Sequence, residues 1–124
     1  MGAEDRRRHV RVETGNLISH ESISSNGQIL SRNMGKALNI SRSGILLETS
    51  NFIKSEYVSL TTVDLNNKLI EIKGRPIYCR RIDSGMYQVG ISFIGSEAET
   101  AEFAVKLIKL YHHRKHKLIM QIAA

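Results

Sequence analysis

The chain has 124 residues, 41% of them hydrophobic and 24% charged, which suffices for one domain with its own core. Its single cysteine, Cys79, excludes an intrachain disulfide. The net charge of +6 favours anionic partners such as phosphates, nucleic acid, a membrane surface or an acidic protein. Because the apolar runs are short and the N-terminus lacks the apolar segment of a signal peptide, we expect a cytoplasmic protein without a transmembrane segment.

Residues 1–13 are polar and basic, and we expect them to form a flexible N-terminal arm or loop. Residues 14–95 then read as a series of short strands separated by turn residues. The predicted strands are 16–23, 35–41, 44–49, 57–65, 68–82 and 86–94. Asn26-Gly27 is a strong hairpin signal, whereas Gly74 and Pro76 predict a bulge, a bend or an edge position. This spacing is typical of an antiparallel barrel or sandwich, and we predict a small barrel.

After Gly95 the apolar period changes from that of strands to that of a helix. Ser96 and Glu99 form a capping box, and residues 96–120 are predicted to be a helix of the same domain. Its apolar stripe is predicted to contain Ala101, Ala104, Val105, Ile108 and Tyr111, widened by Phe103, Leu107 and Leu110.

This apolar face is wider than one side of a barrel usually needs. The favoured interpretation is a helix that packs on the core and keeps a basic face in solvent. A homodimer through Phe103, Leu107 and Leu110 is the second interpretation, and binding to anionic lipid is the third.

No arrangement typical of catalysis or of a cofactor is present. Cys79 lies in a predicted strand without the signature of a nucleophile, and no serine, histidine and acid stand in a triad pattern. His112 and His116 are four residues apart but lack an HExxH pattern, and a phosphate-binding loop is missing. We therefore expect a protein that is not an enzyme and holds no metal or cofactor.

Four arginines lie within six residues near the N-terminus. Arg7 and Arg11 are four residues apart, so both side chains can converge on one ligand from a loop or a single turn, and Arg6 adds a third. Arginine is suited to this because its planar guanidinium can grip phosphate oxygens at two points and stack on a base. Taken alone, however, such a cluster is more often a solvated arm.

The second notable stretch is "NISRSG", residues 39–44, between two predicted strands. Asn39 and Ser41 can cap the backbone of a turn, and Gly44 permits a positive φ or a close approach. Ordinary turn chemistry explains these residues. At the rim of a barrel, the same turn could also present an amide and a hydroxyl to the edge of a purine.

Together the two stretches resemble the hallmarks of the PilZ domain family, R-x-x-x-R and [D/N]-x-S-x-x-G. Arg7 and Arg11 match the first element, and Asn39, Ser41 and Gly44 match the second. Downstream, "GRPIYCRR" and "YQVGISF" are similar to the paired late strands of that family. The resemblance covers roughly residues 6–112. It implies a mainly β protein, a six-stranded antiparallel barrel with a C-terminal helix, here as a stand-alone single domain.

The resemblance also implies that the protein is a bacterial receptor for cyclic di-GMP, which PilZ domains bind on the outer barrel surface beneath the arginine loop. The implied ligand-binding residues are Arg6, Arg7, Arg11, Asn39, Ser41 and Gly44, with Arg42 and Ser43 as further candidates in the turn. The arginines would contact phosphates and guanine edges, Asn39 and Ser41 would hydrogen-bond a guanine, and Gly44 would shape the turn.

Ligand capture is expected to fold residues 4–13 over the barrel and so present a new surface to a partner. That partner would belong to a motility, pilus or exopolysaccharide system, the last linking the protein to biofilms. Two alternatives stay open: a PilZ-fold adaptor that docks on a protein without nucleotide, and a basic barrel that binds nucleic acid. Nucleic acid is not the expected partner, because aromatic residues are only 6% of the chain, none is tryptophan, and they are dispersed.

Overall fold

The computed structural model describes residues 10–123, which form seven strands and one helix. The elements are β1 (Val12–Glu13), β2 (Leu17–Ile23), β3 (Ile29–Ile40), β4 (Gly44–Thr49), β5 (Tyr57–Val63), β6 (Leu69–Arg81), β7 (Tyr87–Ile94) and α1 (Glu97–Ala123). Two differences from the predicted elements bear on the site. β3 begins at Ile29 rather than at residue 35, and Val12–Glu13, which the sequence assigns to the arm, form β1.

The strands form one antiparallel sheet that closes on itself. The order is β1-β3-β2-β5-β6-β7-β4, and β3 also pairs with β4, so six strands complete a barrel with β1 as an extra strand beside β3. The prediction of a six-stranded antiparallel barrel with a C-terminal helix is confirmed. Closure removes most free sheet edges, which are otherwise prone to pair with other chains.

Alternation of side chains along the strands builds the barrel core. In β5, Val58 and Leu60 on the inner face are completely buried, while Tyr57 and Thr61 on the outer face are only half-buried. Ile45 and Leu47 of β4 and Val89 of β7 are also fully buried and belong to the same cluster. Each such side chain contributes roughly 1.5–3 kcal/mol through burial, so this cluster is a main source of the barrel's stability.

The predicted irregularity at the only proline is present in β6. The pairing between β6 and β7 shifts register between Pro76 and Tyr78, as expected for a bulge. The pairing of β6 with β5 ends at Gly74, so Pro76 needs no amide hydrogen for that neighbour. The strand therefore tolerates proline because it lies past the end of β5.

The capping box at the start of α1 is also present. The Glu99 amide donates to Ser96 Oγ at 3.1 Å, and the Ser96 amide donates to Glu99 Oε1 at 2.9 Å. This hydrogen bonding by Ser96 holds the pKa of Glu99 below its ordinary value of 4.5. Helix α1 therefore begins where the sequence predicts, although it continues past residue 120 to Ala123.

The helix buries a stripe that differs in part from the predicted one. The buried residues of α1 are Thr100, Phe103, Ala104, Leu107 and Leu110, whereas Val105 is 46% exposed. Phe103 packs edge-to-face on Phe93 of β7, and Asn16 donates a hydrogen bond to the Leu107 carbonyl. Phe103, Leu107 and Leu110 thus pack within the domain, and the homodimer through them stays a prediction. Within residues 10–123, no helix is both long and apolar enough to cross a membrane.

Candidate functional site

The predicted site residues that the structure describes lie at one end of the β3–β4 pair. Arg11 directly precedes β1, Asn39 is the penultimate residue of β3, and Gly44 begins β4. Ser41, Arg42 and Ser43 make the link between these strands. Arg6 and Arg7 lie outside the described residues, so their predicted roles stay predictions.

Arg11 and Asn39 are in direct contact. Arg11 Nη1 donates a hydrogen bond to Asn39 Oδ1 at 2.8 Å. The contact follows from the short strand β1, in which Val12 pairs with Ile40 and Glu13 with Asn39, so the residue before β1 reaches the end of β3. The structure thus joins one residue of R-x-x-x-R to one residue of N-x-S-x-x-G across 28 positions of sequence.

Ser41 is almost completely buried, and its hydroxyl organises the turn. Ser41 Oγ accepts hydrogen bonds from the amides of Ser43 at 3.2 Å and Gly44 at 3.3 Å. The Ser41 amide donates to the Gly44 carbonyl at 2.9 Å, which closes the turn. Arg42 and Ser43 are exposed as a result. Ser41 thus positions the turn, while Arg42 and Ser43 are exposed. The predicted contact of Ser41 with a guanine stays a prediction.

Gly44 is required by a close approach of two strands rather than by a positive φ. Gly44 pairs with Ser92 of β7, and its φ is outside the left-handed region. A Cβ atom at this position would lie within 3.0 Å of the Ile91 carbonyl oxygen, which is backbone and cannot rotate away. The Phe93 amide also donates to the Ser43 carbonyl at 2.9 Å, so the turn is held against β7.

Outward-facing residues that pair on neighbouring strands form a row across the barrel, beginning at Asn39. Register pairs Asn39 with Leu46, Leu46 with Gly90, and Gly90 with Tyr78. The Tyr78 ring lies over Gly90, where any Cβ atom would collide with it, and 47% of Tyr78 is exposed. The guanidinium of Arg80 lies 6.0 Å from the centre of the same ring, within cation–π range.

Sequence reasoning did not assign Tyr78 and Arg80 to the site, because the aromatic residues looked dispersed. A signal was present: Gly90 stands in the middle of a strand, where glycine often marks the close approach of another group. Only the register of β6 on β7 identifies that group as Tyr78 and aligns it with Asn39. The described surface therefore combines an amide, an exposed aromatic ring and arginines, all of which suit a nucleotide.

Other features of the described residues are not part of this set of side chains. A groove of about 510 Å³ runs between β6 and α1, but none of the predicted site residues lines it. Among residues 10–123, no group of three histidine, cysteine, aspartate or glutamate side chains is placed to hold a metal ion. Cys79 is a half-buried free thiol, close to the Ile53 amide at 3.5 Å.

Comparison with protein-family models found no match, and comparison with curated proteins found none. Solved structures do match. MrkH of K. pneumonia in complex with c-di-GMP has a TM-score of 0.60 and 19% identity, over 90% of this chain and 56% of MrkH. The inhibitor of motility MotI/DgrA of Bacillus subtilis has a TM-score of 0.59 and 15% identity, over 91% of this chain and 53% of that one.

The PilZ domain of YcgR from Escherichia coli with c-di-GMP has a TM-score of 0.58 and 11% identity, over 92% of this chain and 98% of that one. This chain thus spans nearly the whole YcgR domain but only about half the length of MrkH and MotI. The fold is that of a PilZ domain, as the two motifs imply.

Proposed function

We propose that the protein is a bacterial cyclic di-GMP receptor that binds its ligand on the outer surface of the barrel and signals by binding rather than by catalysis. The observation that carries the proposal is the hydrogen bond from Arg11 to Asn39, which joins the two motifs in the folded chain. Two proteins of similar fold, MrkH and the PilZ domain of YcgR, were solved with c-di-GMP, which supports the same ligand class here.

The chemistry of the ligand matches the described residues. A cyclic dinucleotide has two phosphates and two guanines, so a receptor needs cationic donors together with groups that read a base. Arg11, joined by Arg6 and Arg7 from the arm, would donate to the phosphates and to the O6 and N7 edges of guanine. The Asn39 amide would hydrogen-bond a guanine.

The turn between β3 and β4 would hold Asn39 in position for its contact with guanine. Ser41 would hold the turn through its buried hydroxyl, and Gly44 would let it lie close against β7. Arg42 and Ser43 are exposed and would contact the ligand, although the Ser43 hydroxyl also lies 3.1 Å from Ser41 Oγ. Tyr78 with Arg80 would provide a stacking platform at the far end of the row, worth roughly 1–3 kcal/mol per stacked base.

Binding would also act as a switch. Arg6 and Arg7 would contact the bound ligand, so its capture would fold the part of residues 4–13 that precedes β1 over the barrel and present a new surface. The partner recognising that surface would be a cytoplasmic component of a motility, pilus or exopolysaccharide system. Among proteins of similar fold, MotI is named as an inhibitor of motility and the PilZ domain of CeSA comes from a cellulose-synthesizing bacterium, which supports a motility or exopolysaccharide system.

Calorimetric titration with cyclic di-GMP tests the proposal. We expect sub-micromolar to micromolar binding by the unaltered protein. Arg11→Ala and Asn39→Ala should each weaken it about tenfold or more, because hydrogen bonds to charged groups contribute roughly 1.5–3 kcal/mol. Arg114→Ala removes the same charge from an exposed part of α1 and should leave the affinity unchanged.

Absence of heat at tens of micromolar ligand would refute the proposal. Unaltered binding by both site variants would refute the assigned surface. Steeply salt-dependent binding of single-stranded DNA or RNA, without a response to the dinucleotide, would instead support the nucleic-acid alternative.

A further inference from the structure

The last part of α1 extends beyond the surface against which the helix packs. Leu110 is the final buried residue of the helix, and every residue from His112 to Ala123 is exposed. We call residues 112–123 the distal helix segment. At a rise of about 1.5 Å per residue it is roughly 18 Å long, which is enough to contact something other than the barrel.

The composition of the distal helix segment is one-sided in charge. Residues 112–117, "HHRKHK", are all basic or histidine, and no aspartate or glutamate occurs after Glu102 up to residue 123. Arg114, Lys115 and Lys117 supply three positive charges. Because all three are exposed in the structure, this stretch is a concentrated cationic surface.

Large aliphatic side chains follow directly and are also in solvent. The exposed fractions are 57% for Leu118, 54% for Ile119, 58% for Met120 and 78% for Ile122. With 3.6 residues per turn, Leu118, Ile119 and Ile122 fall within an arc of about 100°. Lys115 lies one turn earlier on the same arc, where its aliphatic stem can follow the apolar surface while the ammonium stays at a polar boundary.

Charge complementarity decides which partner fits this segment. Two copies of the segment packed in parallel would bring like charges together, and two copies packed antiparallel would place the cations of each against aliphatic side chains of the other. Neither arrangement gives Arg114, Lys115 and Lys117 an anionic partner. The groove between β6 and α1 is lined by three glutamates and two lysines, so its net charge of −1 is much smaller than the +3 of the segment. Nucleic acid would bind the cations, but it would offer no apolar surface against which the exposed aliphatic side chains could be buried.

We propose that the distal helix segment binds peripherally to an anionic lipid surface. Leu118, Ile119 and Ile122 enter the boundary between headgroups and acyl chains. Lys115, within this arc, and Arg114, beside it, meet lipid phosphates or carboxylates. Basic residues next to aliphatic ones on an exposed helix are the combination that such interfaces select. This inference does not depend on nucleotide binding, because the segment shares no residue with the candidate site.

Co-sedimentation of the full chain with vesicles tests the proposal, using phosphatidylcholine with and without phosphatidylserine. We expect binding only to the anionic vesicles. Arg114→Gln with Lys115→Gln should weaken it about 25-fold, since each cation near such a surface contributes about fivefold. Leu118→Ser with Ile122→Ser should weaken it about tenfold or more, since burial of both side chains is lost.

Matched controls are available on the barrel. Lys54→Gln with Lys68→Gln removes two exposed charges, and Leu69→Ser removes an aliphatic side chain that is 75% exposed. Both should bind anionic vesicles like the unaltered protein. Circular dichroism of each variant verifies that α1 is intact.

Three results would overturn the proposal. One is no sedimentation with anionic vesicles at low salt. Another is binding that the serine variants leave unchanged, since charge alone would then account for it. The third is twice the chain mass in light scattering, restored to the single mass by Leu118→Ser with Ile122→Ser, because the segment would then serve a second copy.

Discussion

At the residue scale, the candidate site depends on atoms that have little room to change. The Ser41 hydroxyl is enclosed by the amides of its own turn, and Gly44 lies directly against the Ile91 carbonyl. Arg11 reaches Asn39 because two residues of β1 pair with the end of β3. The outward-facing groups are therefore positioned by buried neighbours that need not touch a ligand themselves.

Replacing Gly44 by alanine should destabilise the barrel. The added methyl group would collide with the backbone of β7, so β4 and β7 must separate, at a cost of about 1–3 kcal/mol typical of overpacking. Urea denaturation measures the loss. Gly27→Asn is the control, because Gly27 has φ 87°, which asparagine tolerates, and no atom lies within 4 Å of the added Cβ. Equal stability of Gly44→Ala and the unaltered protein would contradict this account of the turn.

At the scale of elements, α1 has two parts with different surroundings. Its first half is fastened by the capping box and by the side chains that pack on the barrel. Its second half has no buried residue. The periodicity of the sequence indicates one continuous amphipathic helix. It does not distinguish the two parts, since the sequence pattern is the same whether an apolar side chain packs on the barrel or faces solvent.

Leu107→Ala tests the core role of the first half. Leu107 is completely buried, so its truncation should lower the free energy of unfolding by about 2–5 kcal/mol. Val105→Ala, two residues away and 46% exposed, should cost less than about 1 kcal/mol. Thermal or urea unfolding measures both. A Leu107 variant that keeps its stability but halves the molecular mass in light scattering would support the homodimer interpretation.

At the scale of the whole molecule, closure of the barrel encloses a titratable group. His20 of β2 is almost completely buried, and its Nε2 is 2.9 Å from Thr49 Oγ1 of β4. Burial lowers the pKa of His20 below its ordinary value of 6.5, because the charged imidazolium is poorly solvated there. When the chain unfolds, His20 regains water and takes up a proton more readily.

Stability should therefore fall as the pH decreases below about 6.5, since the unfolded chain then binds the extra proton. The expected slope is up to about 1.4 kcal/mol per pH unit until the pH reaches the lower pKa of the folded state. The pKa values of Asp64 and Glu99 are also lowered, but their contributions are lost only at more acidic pH. Urea denaturation between pH 5 and 7.5 measures the slope.

His20→Gln should flatten this slope, whatever its effect on absolute stability. His113→Gln, which changes an exposed histidine of α1, should leave the slope intact. A slope that persists in the His20 variant would mean that another group carries the pH dependence.

Much of the fold was predictable because its signals are local. Gly27 adopts the positive φ value that the Asn26-Gly27 hairpin signal requires. The start of α1 was predictable for the same reason, since Ser96 and Glu99 are three residues apart. The early start of β3 was not, because Leu30 and Met34 are exposed and the strand there lacks clear alternation.

By itself, the sequence determined the strand and helix pattern, the turn chemistry of "NISRSG" and the likeness of two motifs to those of PilZ domains, because these depend on residues close along the chain. Tertiary structure alone decided that Arg11 meets Asn39, that Gly44 serves a close approach, and that Tyr78 joins the same outward row. The tertiary structure also decided which residues of α1 are buried against the barrel and which are exposed to solvent. Those outcomes depend on strand register and barrel closure, which pair residues that are far apart in sequence.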